Sequence, residues 1–227
     1  MLSIKNYNRI MRVCAVCTAL AGLLPAARAD VGLTLKAGTL GLGADLTFPI
    51  VDKFNVRVGG NYFQYDYRNV YSKIKYDAKL KLGSGLTTFD WYPLSDDFHL
   101  SAGGLFGDNE ISLTGKASVG GSYTINGKNY TEAEVGNLTS HVSFDGADPY
   151  VGIGWGNAIR KDGHWSVTLD LGGAYQGKPK VAYTTDGTLT GNPSFESDLN
   201  AERSKTRHDL DFLTFYPVIS GGVAYKF

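Results

Sequence analysis

The stretch Trp165-Ser-Val-Thr-Leu-Asp-Leu-Gly-Gly-Ala-Tyr175 decides how the rest of the chain is read. Trp165, Val167, Leu169, Leu171, Gly173 and Tyr175 fall on one face, and Ser166, Thr168, Asp170, Gly172 and Ala174 on the other. A period of two is the signature of a strand with one apolar side. An aromatic ring stands at each end of that side. Ten steps of ~3.3 Å give about 33 Å of strand, and a tilt of ~40° turns this into about 25 Å of height, the thickness of the apolar band of a membrane barrel. A soluble sandwich also alternates, but nothing in it requires rings at both ends of that spacing.

The same alternation recurs in both directions. Residues 54–62 set Phe54, Val56, Val58, Gly60 and Tyr62 against Asn55, Arg57, Gly59 and Asn61; residues 98–106 and 40–48 repeat it, the latter with Leu40, Leu42, Ala44, Leu46 and Phe48 on the apolar side. Short turns at 49–53, 93–97 and 160–164 are flanked by Phe48, Phe54, Trp91, Tyr92, Phe98 and Trp165, which read as an aromatic girdle on the periplasmic side. A second set, Tyr62, Phe63, Tyr65, Phe106 and Tyr175, marks the other interface. Long connections at 67–78, 114–147 and 178–210 lie on that far side. The expectation is an all-β fold: an antiparallel transmembrane β-barrel with short periplasmic turns and long extracellular loops. Strands are expected at 31–37, 40–49, 54–66, 79–92, 98–113, 149–158, 165–177 and 212–227, and eight satisfies the even count of such barrels. Pro217 in the last strand needs a bulge or an unpaired position. Within 114–147, Asn126-Gly127 signals a type I′ hairpin, and Thr131-Glu-Ala-Glu134 a capping box ahead of Gly136. Glu196 to Asp211 reads either as a short helix or as a solvated loop.

Composition agrees with this class. The 227 residues carry 22 basic and 22 acidic side chains, a balance that excludes a typical nucleic-acid binder. Glycine, at 29, is about 13% against a usual ~7%. Residues 1–29 read as a signal peptide: Lys5, Arg9 and Arg12 precede the apolar run Val13–Leu24, and Ala27-Arg-Ala29 is a small-x-small cleavage site. The barrel domain is then 30–227, with 18 basic and 22 acidic residues, and both cysteines, Cys14 and Cys17, lie outside it. His99, His141, His164 and His208 show no metal spacing, and no cofactor motif is present.

The chain ends Ile219-Ser-Gly-Gly-Val223-Ala-Tyr225-Lys-Phe227, with Ile219, Val223, Tyr225 and Phe227 on the lipid side. A terminal Phe preceded two positions earlier by an aromatic resembles the signal read by the outer-membrane barrel assembly machinery. Together with Gly38-Thr-Leu-Gly-Leu-Gly-Ala-Asp45, Asp90-Trp-Tyr-Pro93, Leu100-Ser-Ala-Gly-Gly104, Pro149-Tyr-Val-Gly-Ile-Gly-Trp-Gly156 and Phe215-Tyr-Pro-Val218, it makes the chain resemble small Gram-negative outer-membrane barrels of the OmpA/OmpW-like type, in a little-characterised proteobacterial group. The resemblance spans the whole of 30–227. It implies a location in the outer membrane, lipid and lipopolysaccharide as surroundings, and no reaction. OmpA-like proteins carry a peptidoglycan-binding domain after the barrel; the expectation for this chain is a barrel without one.

If the apolar face meets lipid, the other face fills the lumen. It is rich in glycine (Gly43, Gly59, Gly83, Gly85, Gly154 and Gly172 among others) and holds Asp45, Arg57, Asp90, Asp170 and Lys226. Buried charges must pair. Two readings follow: a structural ion-pair network, or a narrow polar path for small solutes in the space that glycine leaves. The functional expectation is a membrane-structural or solute-passing barrel, not an enzyme, with loop-mediated binding of an extracellular partner as the alternative. A third reading is weaker. His141-Val-Ser143, with Asp145 on the same face, resembles the His-x-Ser pair of lipid A deacylases, where a hydroxyl, a base and an orienting acid cleave an acyl ester.

Overall fold

The computed structural model describes residues 30–227 apart from 72–73, 95–96 and 118–119; the expected signal peptide lies outside the described residues. The elements are β1 (Gly32–Gly38), β2 (Gly41–Val51), β3 (Phe54–Tyr71), β4 (Ile74–Trp91), β5 (Phe98–Ala117), the short hairpin β6 (Ser122–Ile125) and β7 (Lys128–Thr131), α1 (Glu132–Val135), β8 (Asn137–Trp155), β9 (Trp165–Tyr175), β10 (Lys180–Thr184), α2 (Pro193–Asp209), a 3₁₀ turn (Asp211–Thr214) and β11 (Phe215–Lys226). No described helix is long and apolar enough to cross a membrane.

Eight strands close a ring in the order β1-β2-β3-β4-β5-β8-β9-β11, with β11 back against β1. Every neighbour is antiparallel, so the fold is an eight-stranded antiparallel barrel of the transmembrane class. Closure leaves no open edge within the ring, as a lipid setting requires. At one end, the turn end, lie both ends of the barrel chain and the short links after β2, β4 and β8. At the other, the loop end, lie the long links.

Outward-facing Leu35, Val151, Val167, Leu169 and Leu171 are all more than half exposed, whereas Thr34, Asp45, Arg57, Asp90, Thr168 and Asp170 are buried inside. At the turn end the rings of Phe54 and Trp91 stack at 6.1 Å, and Tyr225 packs edge-on against both Trp165 and Phe227. Phe48 and Phe98 are half-buried on the same side. Pro217 lies past Gly38↔Ser220, the last pair that β1 makes with β11, so it faces no strand on that side. The Thr39 hydroxyl takes over there, donating to the Pro217 carbonyl at 2.9 Å and accepting from Ile219 N–H at 3.1 Å.

Several expectations are corrected. Leu40 is buried inside, because the strand starts only at Gly41, whose φ of +98° turns the chain first. Gly83 and Gly85 face outward, since Leu82, Ser84 and Leu86 take the interior positions of β4. Tyr92 points inward, 5.1 Å from the His99 ring. Most of 67–78 and the outer parts of 114–147 are strand, so one side of the barrel stands as a tall wall.

Along that wall the sense of alternation reverses. The β3–β4 register runs unbroken from Phe54↔Trp91 to Tyr71↔Ile74, so parity carries through. Odd positions of β3 face inward throughout: Asn55, Arg57 and Asn61 first, then Phe63, Tyr65 and Tyr67. Even positions face outward: Phe54, Val58 and Tyr62 first, then Gln64, Asp66 and Arg68. Phe63 and Tyr65 therefore do not belong to an outward girdle. The lower part is polar inside and apolar outside, as lipid demands; the upper part is built the other way, as water demands.

The upper part has its own core. Tyr123, Ile125, Val135, Phe195 and Leu199 bury one another between the small hairpin, α1 and α2. Val142, Phe144 and Val181 on β8 and β10 are covered by Leu210 and Leu213. The hairpin turns through Asn126 (φ 49°) and Gly127 (φ 75°), the two positive φ angles of a type I′ turn. The capping box forms as read, with Thr131 and Glu134 reciprocally bonded. The charged stretch is helix: Asn192 caps it and Pro193 occupies its first turn.

Candidate functional site

Near the turn end, inward positions of five strands converge. The pairs Arg57↔Thr88 and Asp90↔Ser101 place β3, β4 and β5 side by side, while His99↔Gly154 and Gly154↔Asp170 line up β5, β8 and β9. Arg57 reaches across the lumen. Its Nη1 and Nη2 donate to the two oxygens of Asp170 at 3.0 and 2.9 Å, a bidentate fork. Its Nε and Nη2 meet Asp90 at 3.1 and 3.2 Å. Ser101 donates to Asp90 at 2.6 Å, and the Arg57 Nε lies 3.4 Å from the Thr88 hydroxyl. His99 Nε2 meets Asp170 at 3.1 Å. His99 is 1% exposed, inside the lumen and not at its rim.

Gly154 makes this assembly possible. It stands between His99 and Asp170 in the row, and a Cβ there would overlap the imidazole and lie 2.9 Å from the Asp170 carboxylate. Gly59 does the same for Asp45, whose carboxylate lies where a Cβ would be. Asp45 is paired with Lys36 at 2.8 Å, both essentially buried, and forms a second ion pair on the β1–β2 side. Of the five polar residues expected in the lumen, Arg57, Asp90 and Asp170 thus meet directly. Asp45 takes a different cation, and Lys226 sits half-buried at the end of β11, its carbonyl 2.9 Å from His164 Nδ1. Lys36 and His99 were not anticipated; both stand at inward positions of alternating strands, which is the signal that marks them.

Above the lock lies an apolar layer. Leu40, Leu86, Leu105, Tyr150, Ala174 and Val218 pack together, with Tyr216 against them. The Tyr150 hydroxyl fills the room left by Gly152 and Gly172, 2.5 Å from where either Cβ would stand. Between lock and layer remains a space of about 10 Å³, bounded by Lys36, Arg57, Asn61, Leu86, Tyr150 and Asp170. That is room for one water. The glycines therefore receive neighbours' side chains and do not open a path.

A third constellation lies in the cap. The Asp198 carboxylate accepts from Asn126 Nδ2 at 2.8 Å, Lys128 Nζ at 2.8 Å and Tyr130 Oη at 2.5 Å. These hydrogen bonds hold its pKa at about 2, below the usual 3.8, and raise that of Lys128. One carboxylate thus fastens α2 to the hairpin.

On the outer surface of the wall, His141 Nδ1 meets the Ser112 hydroxyl at 2.8 Å and Glu110 at 3.5 Å. The hydroxyl against the imidazole is thus that of Ser112, while Ser143 lies opposite Glu110 on β5 and Asp145 opposite Asp108. Serine and acid approach the same ring nitrogen, whereas a proton relay uses both. At the chain end Ile219, Val223 and Phe227 are exposed on the outer face, beside Tyr225.

No protein-family model matches the sequence, and no curated protein matches it. The solved structures that share its fold include two from one organism. The outer-membrane barrel CarO2 of Acinetobacter baumannii superposes with a TM-score of 0.59 at 22% identity, covering 87% of this chain and 98% of that one. CarO of the same organism gives 0.56 at 23% identity, covering 86% and 97%. At such identities the likeness establishes the architecture: this chain is an eight-stranded barrel of the outer-membrane type.

Proposed function

We propose that the protein is an outer-membrane barrel with a shut lumen, which anchors and presents the structured cap at its loop end. The turn end faces the periplasm, export uses residues 1–29 as a cleaved signal, and the outward aromatics that end at Phe227 serve recognition by the assembly machinery. The observation that carries this reading is the double closure: the Arg57–Asp90–Asp170–His99 lock below and the Tyr150–Leu86–Leu105 layer above, with about 10 Å³ between them. The cap, with its own buried cluster and the fastening at Asp198, is the part ordered enough to offer a fixed surface to an extracellular partner. The test is conductance of the folded protein in a planar lipid bilayer. This account expects silence; discrete steps from the native protein would overturn it.

A second reading, passage of small solutes, is favoured by one observation. Below the apolar layer most inward side chains are polar, and the Arg57 side chain among them is held by bonds that a rearrangement can exchange. On that reading Asp170→Asn raises conductance from silence to steps. Enzymatic action through His141 draws no support from the geometry around Ser112.

A further inference from the structure

Above the belt the inner face of the wall is apolar across five strands, and only part of it is covered. Register places Tyr65, Leu80, Ile111, Val142 and Val181 in one row across β3, β4, β5, β8 and β10. On the β8–β10 side Leu210 and Leu213 lie over it. On the β3–β4 side Phe63, Tyr65 and Tyr67 are 39%, 55% and 47% exposed, and Leu113 is 41% exposed, although all four point inward. Exposed apolar side chains grouped on one face mark a binding surface.

The surroundings say what fits there. The β1–β2 hairpin stops low: its last pair with β3 is Leu42↔Tyr62, so β2 gives β3 no partner from Phe63 onward. The low rim at Thr39 and Leu40 is tied to β11, with Tyr216 Oη donating to the Thr39 carbonyl at 2.6 Å. Gly41 brings this rim against Phe63. Immediately outside it, Leu42, Phe215 and Ile219 are 71%, 67% and 52% exposed and belong to the lipid-facing belt. Thr39 is polar and Leu40 is buried, so at the rim only Gly41, which has no side chain, separates the exposed belt residue Leu42 from Phe63 and Tyr65. Beneath, the layer around Leu40, Leu86 and Tyr150 closes the floor. A polar solute finds no path here. A molecule with a long apolar tail, its head held at the membrane surface, meets exposed apolar side chains on both sides of this low rim.

We propose that this wall receives the acyl chain of an amphiphile from the outer leaflet, which enters sideways over the Thr39–Leu40 turn. The proposal rests on the outer-membrane reading and adds a ligand class and a route to it. The test uses the exported protein in lipid nanodiscs with a palmitic-acid analogue that carries a diazirine. After irradiation, adducts are mapped by mass spectrometry. Expected are adducts on outward belt residues such as Val167 and Leu171, and a second group on Phe63, Tyr65, Tyr67 and Leu80. The variant Tyr65→Ser/Tyr67→Ser, shown to be folded by its heat-dependent gel shift, should lose the second group several-fold and keep the first. Belt adducts alone would overturn the proposal and leave the membrane reading standing. Loss of the belt adducts as well would overturn both. Chain-to-chain disulfides through Tyr65→Cys would place a second copy on the wall, and would also overturn the proposal.

Discussion

The lower and upper halves of this molecule share strands but solve opposite problems. In the lower half the interior holds Arg57, Asp90, Asp170, His99, Lys36 and Asp45, and the exterior holds Leu169, Leu171, Val151 and Val167. In the upper half the interior holds Phe195, Leu199, Ile125, Val142 and Phe144, and the exterior Gln64, Asp66, Arg68, Lys79 and Lys81. Strands β3, β4, β5 and β8 serve both, and on β3 the exchange falls between Tyr62 and Gln64. The lesson is that alternation specifies a strand, while the solvent on each side specifies which parity is apolar. A charge lock is a sensible interior only where the outside already removes apolar surface from water.

The largest effect should come from breaking the lower interior. Arg57→Ala leaves Asp90 and Asp170 buried without their shared cation, and should destabilise the folded barrel by about 3–5 kcal/mol, measured by urea unfolding in lipid vesicles. Phe195→Ala in the upper interior removes a fully buried ring, with a local loss of about 3–5 kcal/mol. Its signature differs: limited proteolysis should cut the cap while the barrel keeps its gel shift. If Phe195→Ala unfolds the whole barrel, the two halves are one cooperative unit and the contrast fails.

Smaller effects sharpen the contrast. Gly154→Ala inserts a methyl between His99 and Asp170, with a cost of about 1–3 kcal/mol from overpacking; the same change at Gly127, where no neighbour stands near the Cβ, should act only through its positive φ. The cap should also be sensitive to acid. Because the folded Asp198 pKa is lowered to about 2 from 3.8, its contribution is fully present above about pH 4. It is lost as pH falls through about 2, and hydrogen exchange in α2 should accelerate over that window. Asp198→Asn should remove the dependence.

Much of the fold was legible because period-two alternation, turn chemistry and end-of-strand aromatics are local signals. Trp165 to Tyr175 announces its strand, Asn126-Gly127 its turn and Thr131–Glu134 its cap. The interior was legible only as a set of inward charges. Which of them meet depends on strands distant in sequence: Arg57 finds Asp170 across 113 positions, and no pattern within either strand encodes that. The reversal on β3 was hidden by Tyr62-Phe-Gln-Tyr-Asp-Tyr67, where aromatics stand on both faces, so the apolar side has no clear boundary. His99 stands one residue into β5, next to a turn, yet the ring of Tyr92 and the gap at Gly154 draw it inside.

The central claim, one wall in two solvents, is tested most directly by single cysteines along the outward face of β3. Both native cysteines precede residue 30, so Val58→Cys, Tyr62→Cys, Gln64→Cys and Asp66→Cys report separately in the exported protein. In lipid vesicles, a membrane-impermeant maleimide should leave positions 58 and 62 unreacted and label 64 and 66. Protection continuing through 66, or labelling already at 58, would contradict the account.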